Sequence, residues 1–267
     1  ECKMIRIAKL KVPLTYDDEM IRSIIAKRLG IEPGLLALID IVKRAVNASD
    51  KRDIYFDMEL DVSVSRDEDE ILTRNKRRHV TKAPELFYNV PATKKLEKRP
   101  IVVGCGPAGM FAALILAQAG ADPVLLERGL DVDRRTERVL KFWETGILDT
   151  DSNVQFGEGG AGAFSDGKLK TGLRDARKMK VLREFVEAGA PEEIMYLSKP
   201  HIGTDRLATA VKKIRGKTIS LGGEIHFGAT VTKIIHQNGA ASAVRYLKDG
   251  KTFERYTDNI ILAIGHS

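Results

Sequence analysis

Ile101-Val102-Val103-Gly104-Cys105-Gly106-Pro107-Ala108-Gly109-Met110-Phe111-Ala112-Ala113-Leu114 is the stretch on which the fold turns. Three consecutive apolar, β-prone residues read as a short strand buried on both faces, the kind found in parallel sheets. The glycine turn then opens an Ala/Leu-rich helix that Gly120 is placed to end. Residues 123–127 form a second apolar strand, closed by Glu127, which lies 18 positions beyond Gly109. Strand, helix and strand in so short a span make a βαβ unit, with the right-handed crossover such units adopt.

Each residue type in the turn has a chemical reason to be there. Gly104 permits a tight turn, Gly106 keeps no side chain between a pyrophosphate and the amides at the helix start, and Gly109 lets helix and strand approach closely. Pro107 and Ala108 complete the loop, and Glu127 is placed to accept hydrogen bonds from adenosine ribose hydroxyls. A βαβ turn that binds nothing is the plain alternative. The strand before, the helix after and the acid at the end of the next strand together argue for a dinucleotide. Glu127 disfavours a 2′-phosphate, since like charges would meet in a partly dry site, although Arg128 beside it complicates that reading. FAD and NAD both remain. Pro107-Ala108 and Leu125-Leu126-Glu127-Arg128 resemble the FAD domain of glutathione-reductase-like flavoproteins more than a dehydrogenase NAD domain. Cys105 reads as a small buried residue, with no second cysteine near it in sequence.

A second glycine-rich stretch runs from Gly157 to Lys168. Gly162 to Lys168 matches the start of a P-loop, but Leu169 stands where Ser or Thr would hold magnesium, and no clear strand precedes it. A P-loop is therefore rejected. The backbone is expected to approach another part of the same dinucleotide, with Gly159, Gly160, Ala161, Gly162, Ser165 and Asp166 as candidate contacts. Phe164 is out of character for a free surface loop.

The rest of the 267-residue chain fits around these motifs. Only Gly30 and Gly34 of 23 glycines fall before residue 100, a compositional step that predicts two domains. Residues 1–90 read as a small α+β domain: a strand at 4–12, a helix opened by Asp17-Asp18-Glu19 with Met20, Ile21, Ile24, Ile25 and Leu29 as its buried stripe, then strands at 38–48 and 54–64. The polar stretch 91–99 reads as a linker, and 100–267 as an FAD-binding Rossmann-type domain. The net charge of +7 divides as +4 in residues 1–100 and +3 beyond, too thin a spread for a nucleic-acid-binding module. Two cysteines argue for a reducing, cytoplasmic setting, and no apolar run is long enough to cross a bilayer. The five histidines show no metal-ligand spacing, so no metal is expected.

Beyond Glu127, helices are expected at 131–146, with Val139, Phe142 and Trp143 on the apolar face, and at 178–188. A third is expected from a Thr204 or Asp205 cap, with Leu207, Val211, Ile214 and Leu221 buried. A short strand, a three-stranded meander joined by Asn238-Gly239 and Asp249-Gly250, and an apolar return strand ending at Gly265 follow.

Residues 85–267 resemble a bacterial family of uncharacterised FAD-dependent dehydrogenases, and residues 4–65 resemble its small N-terminal domain. The likeness rests on 102–109, Leu126-Glu127-Arg128-Gly129, Asn153 to Gly162, Ser165 to Leu169, Lys199 to Asp205 and Ala263 to Ser267. It implies FAD bound non-covalently, with backbone near Val231 meeting adenine and Gly265 close to the cofactor. By the same likeness the complete protein would transfer hydride through the flavin to or from a small-molecule substrate, with NAD(P)H a candidate donor. Members are about twice as long, so this chain is expected to be a fragment whose own FAD retention is in doubt. Neither a substrate, a catalytic residue nor an oligomeric state follows. Asp166 and His201 are the polar residues to watch near the flavin ring. The competing expectation is a dinucleotide-binding module without turnover, its N-terminal domain docking a protein partner or RNA.

Overall fold

A computed structural model describes residues 4–76, 78–85, 87–93, 96–165, 167–169 and 175–266. Contacts divide the chain into two units, one of residues 1–87 with 170–179 and 192–200, the other of 88–169, 180–191 and 201–267.

The first unit contains β1 (Ile5–Pro13), α1 (Asp18–Leu29), β2 (Leu36–Asn47), β3 (Tyr55–Val64), α2 (Glu68–Arg74) and β4 (Val80–Lys82). The strands form an antiparallel sheet in the order β2-β3-β1-β4. On β1 the buried residues are Ile5, Ile7, Leu10 and Val12. The odd step from Ile7 to Leu10 would turn half the strand inside out, and a register shift between those two residues absorbs it. Lys9, with φ of +53°, sits in that bulge. Against this face α1 lays Ile21, Ile25, Ala26 and Leu29. Asp17 caps the helix by accepting from the Met20 N–H at 2.7 Å, and Gly30 ends it with φ of +71°. Met20 is 40% exposed rather than part of the stripe. The buried Asn75 amide donates to Leu29 O and Ile71 O, tying α2 to the end of α1. Strand β4 had no sequence expectation, because three residues carry too little periodicity.

The second unit contains β5 (Ile101–Val103), α3 (Pro107–Gln118), β6 (Val124–Leu126), α4 (Val132–Thr145), α5 (Ala176–Glu187, its residues from 180 onward), α6 (Thr204–Ser220), β7 (Glu224–His226), β8 (Thr230–Gln237), β9 (Ala240–Lys248), β10 (Lys251–Tyr256) and β11 (Ile260–Leu262). Four parallel strands stand in the order β11-β5-β6-β7, and β8, β9 and β10 form an antiparallel meander. Side-chain alternation gives the parallel sheet two different faces. Ile101, Val103, Val124 and Leu126 pack with Ala229, Val244 and Tyr246 of the meander side. Val102 and Leu125 pack with Ala113, Ala112 and Leu116 of α3. That arrangement is why β5 and β6 are apolar throughout rather than alternating, while the edge strand β7, Glu224-Ile225-His226, carries polar residues.

Two helices differ from expectation. On α4 the buried residues are Val132, Arg135 and Val139, while Trp143 is 63% exposed. The apolar face is completed by an arginine, not by the aromatic. The start of α6 is capped by Gly203 without any side-chain bond, because Thr204 Oγ1 instead donates to Ser165 O at 3.1 Å. Leu221 lies past the last turn and is 40% exposed.

Candidate functional site

The carboxyl ends of β5, β6 and β11 meet at the turn after β5. Gly104 has φ of +98°, and a Cβ there would stand 2.5 Å from Ala263 O. A Cβ on Gly109 would stand 1.9 Å from Gly104 O, so this glycine sets how closely α3 approaches the strand. Gly106 differs from both. Its φ is −69°, and a Cβ would meet nothing within 4 Å. It caps α3 with no side chain, and Pro107 follows at the first helical position. Two of the three glycines are therefore needed by the chain itself, and one leaves backbone open to a ligand.

Glu127 is buried, and both of its oxygens are engaged. Cys105 N–H donates to Oε2 at 2.5 Å and Gly129 N–H donates to Oε1 at 2.7 Å. Each carboxylate oxygen keeps a further lone pair, so the group can hold the turn and still accept from a ligand hydroxyl. The Glu127 backbone joins the layers as well, its N–H donating to His226 O and its carbonyl accepting from Ala229 N–H.

Across the turn lies the glycine-rich loop. Gly159 N–H donates to Cys105 O at 2.8 Å, and a Cβ on Gly160 would stand 3.0 Å from Pro107 Cδ. Gly157 has φ of +115°, and a Cβ would stand 2.6 Å from Arg135 Cδ. Arg135 is fully buried and donates to three loop carbonyls, Asn153 O at 2.8 Å, Glu158 O at 2.6 Å and Val154 O at 2.9 Å. Its guanidinium also lies 4.7 Å from the centre of the Phe164 ring. Burial pulls its pKa down to about 10, against the pull of Glu127, which leaves it charged at neutral pH.

Glu158 carries the loop's own charge. Its Oε2 accepts from Val132 N–H at 2.7 Å and from Arg215 Nη1 at 2.9 Å, while the buried Oε1 has no partner among the described residues. Burial raises its pKa above the ordinary carboxylate range, with the Val132 and Arg215 contacts opposing. The Cys105 thiol is pushed well up by burial and by the nearby Glu158 and Glu127 carboxylates, so a thiolate is disfavoured there.

These parts enclose a cleft of about 740 Å³. Of the expected residues, Gly104, Gly106, Pro107, Ala108, Glu127, Arg128, Gly160, Ala161, Val231 and Gly265 line it. Gly109, Gly159, Gly162 and Ser165 do not; the first two pack the turn from behind, and Ser165 Oγ donates to Gly162 O within its own loop. Asp166 lies outside the described residues. His201 is exposed, pairs through its backbone with Lys168, and does not line the cleft. Gln155, Phe156, Thr230 and His266 line it without having been expected. Phe156 carries the Arg128 guanidinium 4.4 Å from its ring centre. Arg135 was also missed, although an arginine in register with Val132 and Val139 on one helix face is itself a signal of a buried tie. Among the described residues no three His, Cys, Asp or Glu side chains gather to hold a metal, and no helix is long and apolar enough to cross a membrane.

No family model matches the chain. A Clostridium beijerinckii protein described only as uncharacterized is 42% identical over 265 residues, which is 98% of this chain and 49% of that protein. The chain thus spans about half the length of the curated relative it matches. Among solved structures, Thermovibrio ammonificans THI4 shows 16% identity and a TM-score of 0.43, covering 64% of this chain and 58% of its own. The flavin-dependent brominase Bmp2 gives 17%, 0.41, 63% and 39% in the same order. Bacillithiol disulfide reductase Bdr of Bacillus cereus gives 17%, 0.35, 62% and 39%.

Proposed function

We propose that the second unit binds FAD non-covalently and that the complete protein is an FAD-dependent oxidoreductase of the dehydrogenase type, built like the glutathione-reductase-like flavoproteins. The observation that carries this reading is the open backbone at Gly106 facing the same cleft as Glu127, Gly160 and Val231. Gly106 and the uncapped start of α3 suit a pyrophosphate, since amide dipoles there favour negative charge. Glu127 suits the ribose hydroxyls through its remaining lone pairs, held in place by Cys105 and Gly129. Residues 229–231 suit the adenine, and Gly160, Ala161 and Gly265 the remainder of the cofactor.

Two features favour FAD over NAD. The meander β8-β9-β10 and the second glycine-rich loop both border the cleft, and an NAD domain has less need of either. Bound FAD would supply two-electron transfer chemistry, while the protein binds, orients and shields it. NAD(P)H as donor and a small organic molecule as substrate complete the proposal.

The test is reconstitution. Purified chain is incubated with FAD, passed through a desalting column, and its visible spectrum recorded. Retained flavin absorbance with equimolar stoichiometry supports the reading. A colourless protein that binds NADH but not FAD overturns it.

A further inference from the structure

The first unit contains a basic cavity that owes nothing to the dinucleotide cleft. About 510 Å³ in volume, it is lined by Lys11, Lys27, Arg28, Arg78 and His79 over a floor of Leu10 and Ile24. From this we propose a second binding site, for a small organic phosphate ester, with the phosphate on the basic rim and the organic portion over the floor.

Charge balance is the first support. Lys11 is paired with Asp53 and lies 4.4 Å from the Tyr55 ring centre. Among the described residues Arg28 donates to two carbonyls, Arg78 O at 3.0 Å and Lys9 O at 3.3 Å, and Arg78 donates to Arg28 O at 3.4 Å. Among the described residues neither arginine has a carboxylate partner, and Lys27 makes no ion pair. Charge of one sign gathered around a concavity focuses the field there and draws anions to it. Lys27 and Arg28 also suit the negative end of α1, and Arg78 donates to a carbonyl of that end, but this leaves His79, from the segment before β4, and the apolar floor unexplained.

Local backbone geometry is the second support. Among the described residues five non-glycines have positive φ, and His79, Asp122, Asn238 and Asp249 are of the types that tolerate it. Lys9, at +53°, takes it in the β1 bulge beside the cavity, where Ala8 N–H donates to His79 O at 2.9 Å. Bulges of this kind recur next to binding sites, where they re-aim side chains. The cavity size is that of a small-molecule site, and its apolar floor gives an organic body something to cover. A nucleic acid fits less well, because the first unit also carries acidic clusters, Asp17-Asp18-Glu19 and Asp67 to Glu70, and so offers no extended basic track.

The test is a titration of isotope-labelled protein with phenyl phosphate, inorganic phosphate and sulfate, and separately with a short single-stranded RNA, at constant ionic strength, read by amide chemical shifts. Shifts reveal where binding occurs, so the result is independent of whether the other cleft takes FAD. Phenyl phosphate is expected to move the amides of Lys27, Arg78 and His79 and to bind several-fold tighter than inorganic phosphate. Lys27→Gln, which removes no hydrogen bond, and Arg78→Gln should each weaken it about tenfold, as for loss of one charge-assisted contact. Absence of shifts at this corner overturns the proposal. So does equal binding of all three anions unaffected by Lys27→Gln, or preference for single-stranded RNA with shifts spreading beyond the cavity.

Discussion

Gly106→Val separates ligand binding from folding more cleanly than any other change at the cleft. A Cβ at 106 meets nothing within 4 Å and the backbone there, at φ of −69°, suits any residue. The folded protein should therefore tolerate valine, at a cost of about 0.5–1 kcal/mol for a poorer helix cap. That corresponds to a fall in Tm of roughly 1–4 °C. Binding should respond on another scale. Valine places three carbons where a pyrophosphate would approach the first turn of α3, and two charge-assisted hydrogen bonds at about 1.5–2 kcal/mol each would be lost. The sum of about 3–4 kcal/mol predicts FAD affinity lower by roughly two to three orders of magnitude. Gly106→Ala, with a single carbon, should fall between wild type and valine. Flavin fluorescence quenching on titration of the apoprotein measures the affinity, and a melting curve measures the fold. Unchanged affinity in Gly106→Val, with Tm also unchanged, would show that the ligand does not approach the turn. A collapse of Tm by more than about 10 °C would show instead that Gly106 is a packing residue, contrary to the open space around it.

Gly109→Ala should do the opposite, because its Cβ would fall 1.9 Å from Gly104 O. The variant is expected to be unfolded or insoluble, and a soluble protein with native circular dichroism would contradict this. Arg135→Met should cost about 3–5 kcal/mol in denaturant unfolding, since the buried Glu158 carbonyl and two half-buried ones lose their donor. Arg135→Lys should recover little of it, because one ammonium does not match three diverging carbonyls; a loss below about 1 kcal/mol for methionine would refute the tie. Glu184 supplies a pH test. Burial would raise its pKa, but Lys180, Lys217 and Gln118 all donate to it and hold it below the ordinary value near 4.5. As pH falls the unfolded chain takes up that proton first, so the stabilisation is full above about pH 5 and drains away as pH drops through the folded value. Glu184→Gln should be less stable than wild type at neutral pH and show a flatter decline in acid. Parallel acid-unfolding profiles for the two proteins would count against the assignment.

How much of this was legible in advance depends on the kind of physics each residue obeys. The turn at 104–109 was readable because its requirements are local: a tight bend, a bare helix start and a close helix-strand contact each demand glycine, and the spacing is set by one turn of chain. The hairpin turns were readable for the same reason, since Asn238-Gly239 and Asp249-Gly250 both take positive φ where the meander needs it. The bulge on β1 was partly visible, as Ile7 and Leu10 cannot share one face of a regular strand without an inserted residue. Arg135 was not read correctly because its partners are backbone carbonyls 18 to 23 residues away, and a carbonyl has no letter in a sequence. Trp143 was assigned to the core on hydrophobicity, yet it stands about two turns beyond Arg135, where the buried side of α4 has already ended at Val139. At position 135 an arginine satisfies three loop carbonyls that an apolar side chain would leave bare. The glycine-rich loop shows the difficulty: Gly160 lines the cleft and was read as a cofactor contact, yet a Cβ there would also stand 3.0 Å from Pro107 Cδ, and Gly157 is glycine for Arg135, whose Cδ occupies the space a side chain would need. Glycine density in a sequence therefore marks where backbone is approached closely, and only the fold distinguishes approach by a ligand from approach by the chain itself.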